Sequence, residues 1–404
     1  MIRLGIIGGG AAGMAAAAFS SAGSVTLIEK NEKLGKKMYI TGKGRCNVTN
    51  NCALYEFFPN IIHGEKFMMS ALNRFSPAQL MEFLDLNGTK CKVERGNRVF
   101  PFSDKASDVT KAFSKAISKV GVDVKLNTNV TSIEKRGDAF IVKTSEGTYE
   151  FDRLIIATGG VSYPLTGSTG DGYRFAKEFN HSIIELCPAL SAIEIKENLE
   201  KLEGVSLKNV RLSFGEGKNK ISEFGEMLFT SNGISGPIVL TMSSKINRLS
   251  PEGKTLYIDF KPALAPEVLD ERLYSDFRVS PNKNISNIMT GLVPGALIPF
   301  ILRLANLSGQ EKANSISRES RLRLGYSLKY FPVTILRLAP ISEAIVTSGG
   351  IKLDEINPST MESKKCSGLY FAGELLDIDC LTGGFNLQCA ISTGRLAGIS
   401  ASKE

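Results

Sequence analysis

The chain has 404 residues, 43% hydrophobic and 22% charged, an ordinary composition for a globular protein with room for two or three domains. Its net charge of +8 suits a polyanionic partner such as RNA, and equally a solvated basic surface around an anionic cofactor. No run approaches the roughly 18 apolar residues of a membrane span, so neither a span nor a membrane partner is expected. The seven cysteines are scattered without a C-x-x-C, and there are only two histidines, which argues against a disulfide framework, a zinc site or a histidine-based triad and suits a reducing cytoplasm.

The first thirty residues read strand, glycine turn, helix, strand. Arg3–Ile7 is a short apolar run, Gly8-Gly9-Gly10-Ala11-Ala12-Gly13 opens a small-residue helix, and Ser24–Ile28 is a second apolar run ending on Glu29. This is G-x-G-x-x-G in its required context. Gly8 makes the tight turn, Gly10 lets a pyrophosphate approach the backbone, and Gly13 lets the helix pack close on the strand. The helix N-terminus offers free N–H groups to phosphate. Glu29, 21 residues after Gly8, is placed to bind a ribose. Arg3, an apolar core and small residues also imitate a secretory leader, but the glycines inside the apolar part and direct continuation into Val25–Glu29 argue against one.

Next comes Thr41-Gly42-Lys43-Gly44-Arg45-Cys46-Asn47-Val48-Thr49-Asn50, two glycines and two cations among a thiol, amides and hydroxyls. Glycines allow close approach to a ligand and cations neutralise phosphate, so this loop is expected to lie along the cofactor. Helices are expected from Ser76-Pro77 to Gly88 and over Ser103–Val120, with Gly121 as the stop. Short strands follow at Val122–Leu126, Val130–Glu134, Ala139–Thr144 and Thr148–Phe151, the later ones as a meander. A buried-type strand, Arg153–Ala157, then runs into Thr158-Gly159-Gly160. A βαβ unit, a meander and a strand ending in A-T-G-G follow the order of FAD domains of the glutathione-reductase type. Gly167–Tyr173 is a polar loop opening a helix to Phe179, in principle an anion or substrate site.

Near Pro188 the pattern changes. Residues 190–260 read as short strands, Ile238–Met242 among them, and as a small β-barrel or sandwich. Pro266–Gly325 is helical, and its half of the insertion is basic through Arg303, Lys312, Arg318, Arg321, Arg323 and Lys329; a solvated helix face is the commoner explanation of such a run. No second glycine fingerprint follows a strand, which argues against a dedicated NAD(P) domain. The first fold resumes at Ala344–Ile351. Ser367–Glu374 is a strand ending in Gly373-Glu374, which would reach a ribityl chain. Gly383-Gly384 start a final helix to about Ala401, whose positive end could face a flavin pyrimidine edge.

The expected fold class is therefore α/β. A glutathione-reductase-type FAD-binding Rossmann domain is built from both chain ends (1–189 and 344–404). A β-barrel (190–262, completed by 331–343) and a small helical domain (263–330) are inserted.

Gly8–Gly13, Thr41–Asn50, Ala157–Gly160, Gly167–Tyr173 and Gly383–Gln388 together make the chain resemble, from end to end, the BaiN/RdsA (YhiN-like) family of bacterial NAD(P)/FAD-dependent oxidoreductases. T-G-K-G-R-C-N is the most diagnostic piece. The resemblance implies that Gly8, Gly10, Ala11, Ala12, Gly13 and Glu29 hold the ADP half of FAD, with Val130 near the adenine. It implies that Lys37, Thr41, Gly42, Arg45, Cys46 and Asn47 line the flavin side, and that Gly373, Glu374, Gly384, Phe385, Asn386 and Leu387 complete it. Lys30, Gly44, Thr158 and Gly159 belong to the same expected cradle. It further implies reduction of activated double bonds with NAD(P)H as donor. One branch of the family is associated with dihydrouridine in 23S ribosomal RNA, another with bile-acid dehydroxylation, and some members carry an aminoacetone-oxidase label. Cys380 and Cys389 depart from the family, which often has a small residue at the first position and Trp at the second.

Two classes of function follow. In the first, a flavin hydride reduces a C=C bond, uridine in ribosomal RNA being the leading substrate and a bile-acid, steroid or enoate small molecule the alternative. Cys46, Cys380 or Tyr163 would supply the proton, and the basic insertion would dock RNA phosphates. In the second, the chain binds FAD to sense redox state without dedicated turnover. A small-molecule reductase predicts a closed apolar pocket; an RNA enzyme needs an open basic approach.

Overall fold

The computed structural model describes residues 1–403. The chain divides into two units, Met1–Ala189 with Ile341–Glu404, and Leu190–Pro340.

The first unit begins with β1 (Arg3–Ile7), α1 (Ala11–Ala18) and β2 (Ser24–Ile28). It continues through β3 (Ile61–His63), α2 (Ala106–Val120), β4 (Asp123–Lys125) and β5 (Arg153–Ile156). α2 shows why these segments fold as they do. Val109, Ala112, Phe113, Ala116 and Ile117 recur on one face and are buried, and Gly121 ends the helix at φ 77°.

The second unit carries β6 (Ile193–Ile195), β7 (Ser206–Phe214), β8 (Ile221–Thr230), β9 (Gly233–Ser235), α3 (Pro237–Ile246) and β10 (Thr255–Asp259). Helices over Pro266–Val279, Ile285–Met289 and Ile298–Leu304 lead to α4 (Arg318–Lys329) and β11 (Phe331–Leu338). The strands close as a barrel in the order β6-β9-β8-β7-β10-β11. Inward residues such as Leu212, Phe229, Leu256 and Val333 fill its core.

One sequence expectation fails here. Ile238–Met242 is part of α3, not a strand. Gly236 turns the chain at φ 102°, Pro237 opens the helix, and Ile238, Val239, Met242 and Ile246 form its buried stripe. A five-residue apolar run does not by itself separate a strand from a helix. The basic run is also altered: Arg321 pairs with Asp270, Arg323 with Glu319 and Lys329 with Asp259.

The chain returns to the first unit as β12 (Val346–Ile351), β13 (Leu369–Phe371), β14 (Asp379–Cys380) and α5 (Phe385–Ala401). Its central sheet is parallel in the order β13-β5-β1-β2-β4, with Ile6 beside both Ile155 and Leu27. β14 pairs antiparallel with β3.

α1 lies against α5 at backbone distance. A Cβ placed on Gly394 would stand 2.1 Å from the Ala12 carbonyl oxygen, and one on Gly398 would stand 2.2 Å from that of Ala16. Gly398→Val is therefore expected to destabilise the protein by about 2 kcal/mol or more in urea unfolding. Gly325→Ala has the opposite expectation. Its Cβ meets only Leu273 at 3.7 Å inside α4, so helix propensity raises stability by about 0.5–1 kcal/mol.

Candidate functional site

The C-terminal ends of the parallel strands converge around the α1 N-terminus, the place where open α/β sheets bind ligands. Gly8 turns at φ 99° and donates its N–H to Ile28 at 2.8 Å; a Cβ there would lie 2.6 Å from the Ala157 carbonyl oxygen. A Cβ on Gly13 would lie 1.8 Å from the Gly8 carbonyl oxygen, whereas one on Gly10 would meet nothing within 4 Å. α1 has no capping side chain and no acid in its first turn, so its first amides, from Ala11 and Ala12 onward, have no intrahelical acceptor. Buried Glu29 accepts the Gly9 N–H at 2.6 Å and the Asn31 N–H at 2.8 Å. Thr128, two residues before buried Val130, donates its amide to the Glu29 carbonyl.

A polar cluster joins the chain ends beside this turn. Lys37 Nζ donates to Ser162 Oγ at 2.6 Å and to Glu374 at 2.8 Å. The Thr347 N–H donates to the same carboxylate at 2.9 Å, and Thr347 Oγ1 accepts the Val161 N–H. Burial alone would raise the Glu374 pKa; Lys37, followed by the Thr347 and Ser162 hydrogen bonds, holds it below the usual carboxylate value. Gly373 lies against α1, where an added Cβ would approach that of Ala12 to 2.7 Å. Thr158 and Gly159 follow β5, and Thr158 Oγ1 is buried without a hydrogen-bond partner among the described residues.

The loop at 41–47 winds left-handed at Gly42, Lys43, Gly44 and Cys46. It is tied by Cys46 N–H to Thr41 O at 2.9 Å and by Thr41 Oγ1 to Lys37 O at 3.1 Å. A Cβ on Gly384 would lie 2.3 Å from Thr49 O, so this segment reaches the N-terminus of α5. Between them lies a cavity of about 530 Å³ lined by Asn47, Asn50, Asn60, Asn97, Glu56 and Arg98, with Thr382, Gly383 and Phe385 at the α5 end. Asn47 Oδ1 is buried and accepts no hydrogen bond among the described residues.

Several of the expected residues are bonded within the protein. Arg45 is bound by Asp104 at 2.7 Å and by Glu94, and lies 4.1 Å over the Phe100 ring, so its charge is already neutralised by protein. Lys30 binds Thr169 and Asp171 and holds the 167–173 loop. Asn386 accepts the Cys380 N–H at 2.9 Å and donates to its carbonyl at 2.8 Å, clasping the turn before α5 while Leu387 packs partly buried behind it. Cys46 and Cys380 are both buried in the core, where burial pushes the Cys46 thiol up to about 12 and that of Cys380 well above its ordinary value. Cys380 Sγ lies 3.5 Å from Cys389 Sγ. Tyr163 is half-buried at φ 52°, its N–H donated to Ser342.

The sequence reading missed His63. Its Nδ1 lies 2.6 Å from Asp379 Oδ1, and Ser348 Oγ donates to that same oxygen at 2.8 Å. Asp379 is fully buried whereas the His63 side chain is 26% exposed. Asn60, which lines the cavity, precedes β3, and its carbonyl accepts the Leu381 N–H just after β14. No local signal marks the His63–Asp379 pair, because the partners lie 316 positions apart. His181, by contrast, is enclosed between Glu355 and Ser363. No metal-binding cluster occurs among the described residues, and no helix there is long and apolar enough to cross a membrane.

The residues present fit FAD: an uncapped helix start with open space at Gly10, and beside it a buried Thr158 oxygen lacking a partner among the described residues. The profile of the HI0933-like protein Rossmann domain matches residues 2–400. The chain belongs to that family. It is 31% identical over 413 residues to a 3-dehydro-bile acid delta(4,6)-reductase of Clostridium scindens, covering 100% of both chains. It is 30% identical over 410 residues to a ribosomal RNA dihydrouridine synthase of Haemophilus influenzae, covering 99% of this chain and 98% of the relative. Its fold matches a 3-ketosteroid delta1-dehydrogenase from Sterolibacterium denitrificans at a TM-score of 0.52, with 14% identity and 100% of each chain covered. The architecture is a Rossmann-type FAD-binding domain with an inserted six-stranded barrel.

Gly10→Ala adds a methyl group to open space, so FAD affinity is expected to fall at least about tenfold while the stability of the FAD-free protein changes by less than about 0.5 kcal/mol. Flavin fluorescence quenching and thermal unfolding separate the two effects. Gly8→Ala is expected to lose stability as well. For Glu374, the depressed folded pKa contributes stability that is complete above the unfolded carboxylate value and is lost as pH falls through the folded one. Lys37→Met removes that partner. It is expected to cost about 2 kcal/mol at neutral pH, less than a fully sealed pair, and to flatten the loss of stability on the acid side.

Proposed function

We propose that this protein is a FAD-dependent oxidoreductase that reduces the C5=C6 bond of uridine in ribosomal RNA. Relatives of nearly equal identity carry either an RNA or a bile-acid activity, so kinship does not choose the substrate. The observation that favours uridine is the cavity at the α5 N-terminus. Its lining is mostly polar, four asparagines with Glu56, Arg98 and Thr382, and Phe385 is its one aromatic. A uracil edge alternates carbonyl acceptors with an N–H donor, which amides complement. A steroid skeleton asks for a predominantly apolar wall.

When bound, FAD supplies the hydride that reaches one alkene carbon, and NAD(P)H is the proposed source of its electrons. The chain's residues do the rest. The α1 amides and Glu29 hold the ADP half, and Lys37 with Glu374 fixes the meeting of the two chain ends. Asn47 orients the pyrimidine through its free acceptor. The other alkene carbon needs a proton, and the buried thiols are poorly placed to deliver it. His63 is the proposed carrier: Asp379 holds its Nδ1 across the β3–β14 ladder, three residues along the chain from Asn60 in the cavity lining.

The test is direct. Protein with FAD and NADPH or NADH is incubated with an unmodified 23S ribosomal RNA transcript, and with an unsaturated 3-oxo bile acid. A two-hydrogen mass gain on a uridine supports the proposal; reduction of the bile acid alone overturns it. His63→Gln is expected to lower kcat by roughly 100-fold, within the usual range for a lost general acid, with FAD affinity unchanged.

A further inference from the structure

The Leu190–Pro340 unit holds a second cavity, of about 600 Å³, between the barrel strands β7 and β10 and the C-terminal end of α4. Three tyrosines form one wall. Tyr326 and Tyr330 lie with ring centroids 4.8 Å apart and planes tilted by 31°, and Tyr257 meets Tyr330 edge-on at 6.5 Å. Tyr326 is 63% exposed and Tyr330 38%. Leaving two large aromatic faces in water wastes the burial they could provide.

The floor is built rather than loose. Lys329, only 9% exposed, pairs with Asp259 at 2.7 Å and donates to the carbonyls of Lys261 and Leu264 at 2.9 and 2.7 Å. That ties α4 to β10 and fixes the 261–264 turn beneath the rings. Arg211 and Lys220 stand exposed at the rim, and neither makes an ion pair among the described residues. Asp259 is already neutralised by Lys329; Glu216 is the other acid in the lining.

We infer that this groove is a docking site for a single-stranded RNA segment, with bases stacked on Tyr326 and Tyr330 and backbone phosphates held by Arg211 and Lys220. Exposed aromatic faces beside unpaired cations are the arrangement that binds unpaired nucleotides, since every base has a face to stack and every phosphate a charge. A paired duplex keeps its base faces covered and cannot use the rings. The cavity is in the size range of a small-ligand site, so it holds a short stretch of the strand. The inference rests on the RNA reading above but names different residues from the basic run at 303–329, in which Arg321, Arg323 and Lys329 are held by acids.

The experiment measures fluorescence anisotropy of the full-length, FAD-loaded protein with a labelled oligouridylate and with a hairpin duplex of equal length. The single strand is expected to bind more tightly. Tyr326→Ala with Tyr330→Ala is expected to weaken it on the order of tenfold or more, while the Tyr→Phe pair, which keeps both stacking faces, retains binding. Arg211→Ala is expected to lower the slope of log affinity against log salt by about 0.7. A Tyr→Ala pair with unchanged melting temperature and unchanged affinity overturns the inference, as does equal binding of duplex and single strand. Equal tightness for the matching oligodeoxynucleotide overturns the RNA assignment specifically. Dihydrouridine formation is read separately. If the groove variants lose RNA binding while no uridine is ever reduced, the groove stands and the proposed reaction falls; reduction with unimpaired groove variants gives the converse.

Discussion

The first unit depends on how closely other backbone can approach α1. This helix is nearly all alanine, and it is pressed from two sides. Gly13 lets the Gly8 turn in on one side, while Gly394 and Gly398 bring α5 against its carbonyls on the other. Gly373 touches it from the end of β13. Any side chain at these points would push the C-terminal segment away from the N-terminal turn. A helix of small residues thus becomes the hinge pin around which two ends of a long chain make one cradle.

The cradle is closed by polar contacts as well as by packing. Glu374 gathers Lys37, Ser162 and Thr347 from three distant segments, and the lysine keeps a mostly buried carboxylate charged. The Asn386 clasp and the Gly384–Thr49 contact set the α5 N-terminus against the 41–50 loop in the same way. Some groups are then fully occupied by protein, Arg45 and Lys30 among them. Others, Asn47 Oδ1 and Thr158 Oγ1, have no hydrogen-bond partner among the described residues, and α1 begins without a capping side chain. Charge counted along the sequence shows neither state: Arg45 is occupied by Glu94 and Asp104, and Thr158, an uncharged residue, keeps a buried oxygen free.

The same distinction applies to the inserted unit. Along the sequence its cations look like one basic face, but Asp270, Glu319 and Asp259 take up half of that run. The exposed aromatic wall comes from Tyr257 on a strand and Tyr326 and Tyr330 around the end of a helix. Separate stretches of chain supply its parts, so no window of sequence displays it.

By itself the sequence determined the dinucleotide turn, because φ above zero at Gly8 and the absence of a Cβ at Gly13 are local demands that only glycine meets cheaply. It also determined the parallel βαβ start, the helix stop at Gly121 and, through resemblance, the family. Tertiary structure decided what periodicity could not: that 238–242 is helical behind Gly236-Pro237, that Cys46 and Cys380 are core thiols, and that His63 meets Asp379. Those outcomes depend on burial and on partners hundreds of residues away, and neither quantity is carried by a residue's neighbours in the chain.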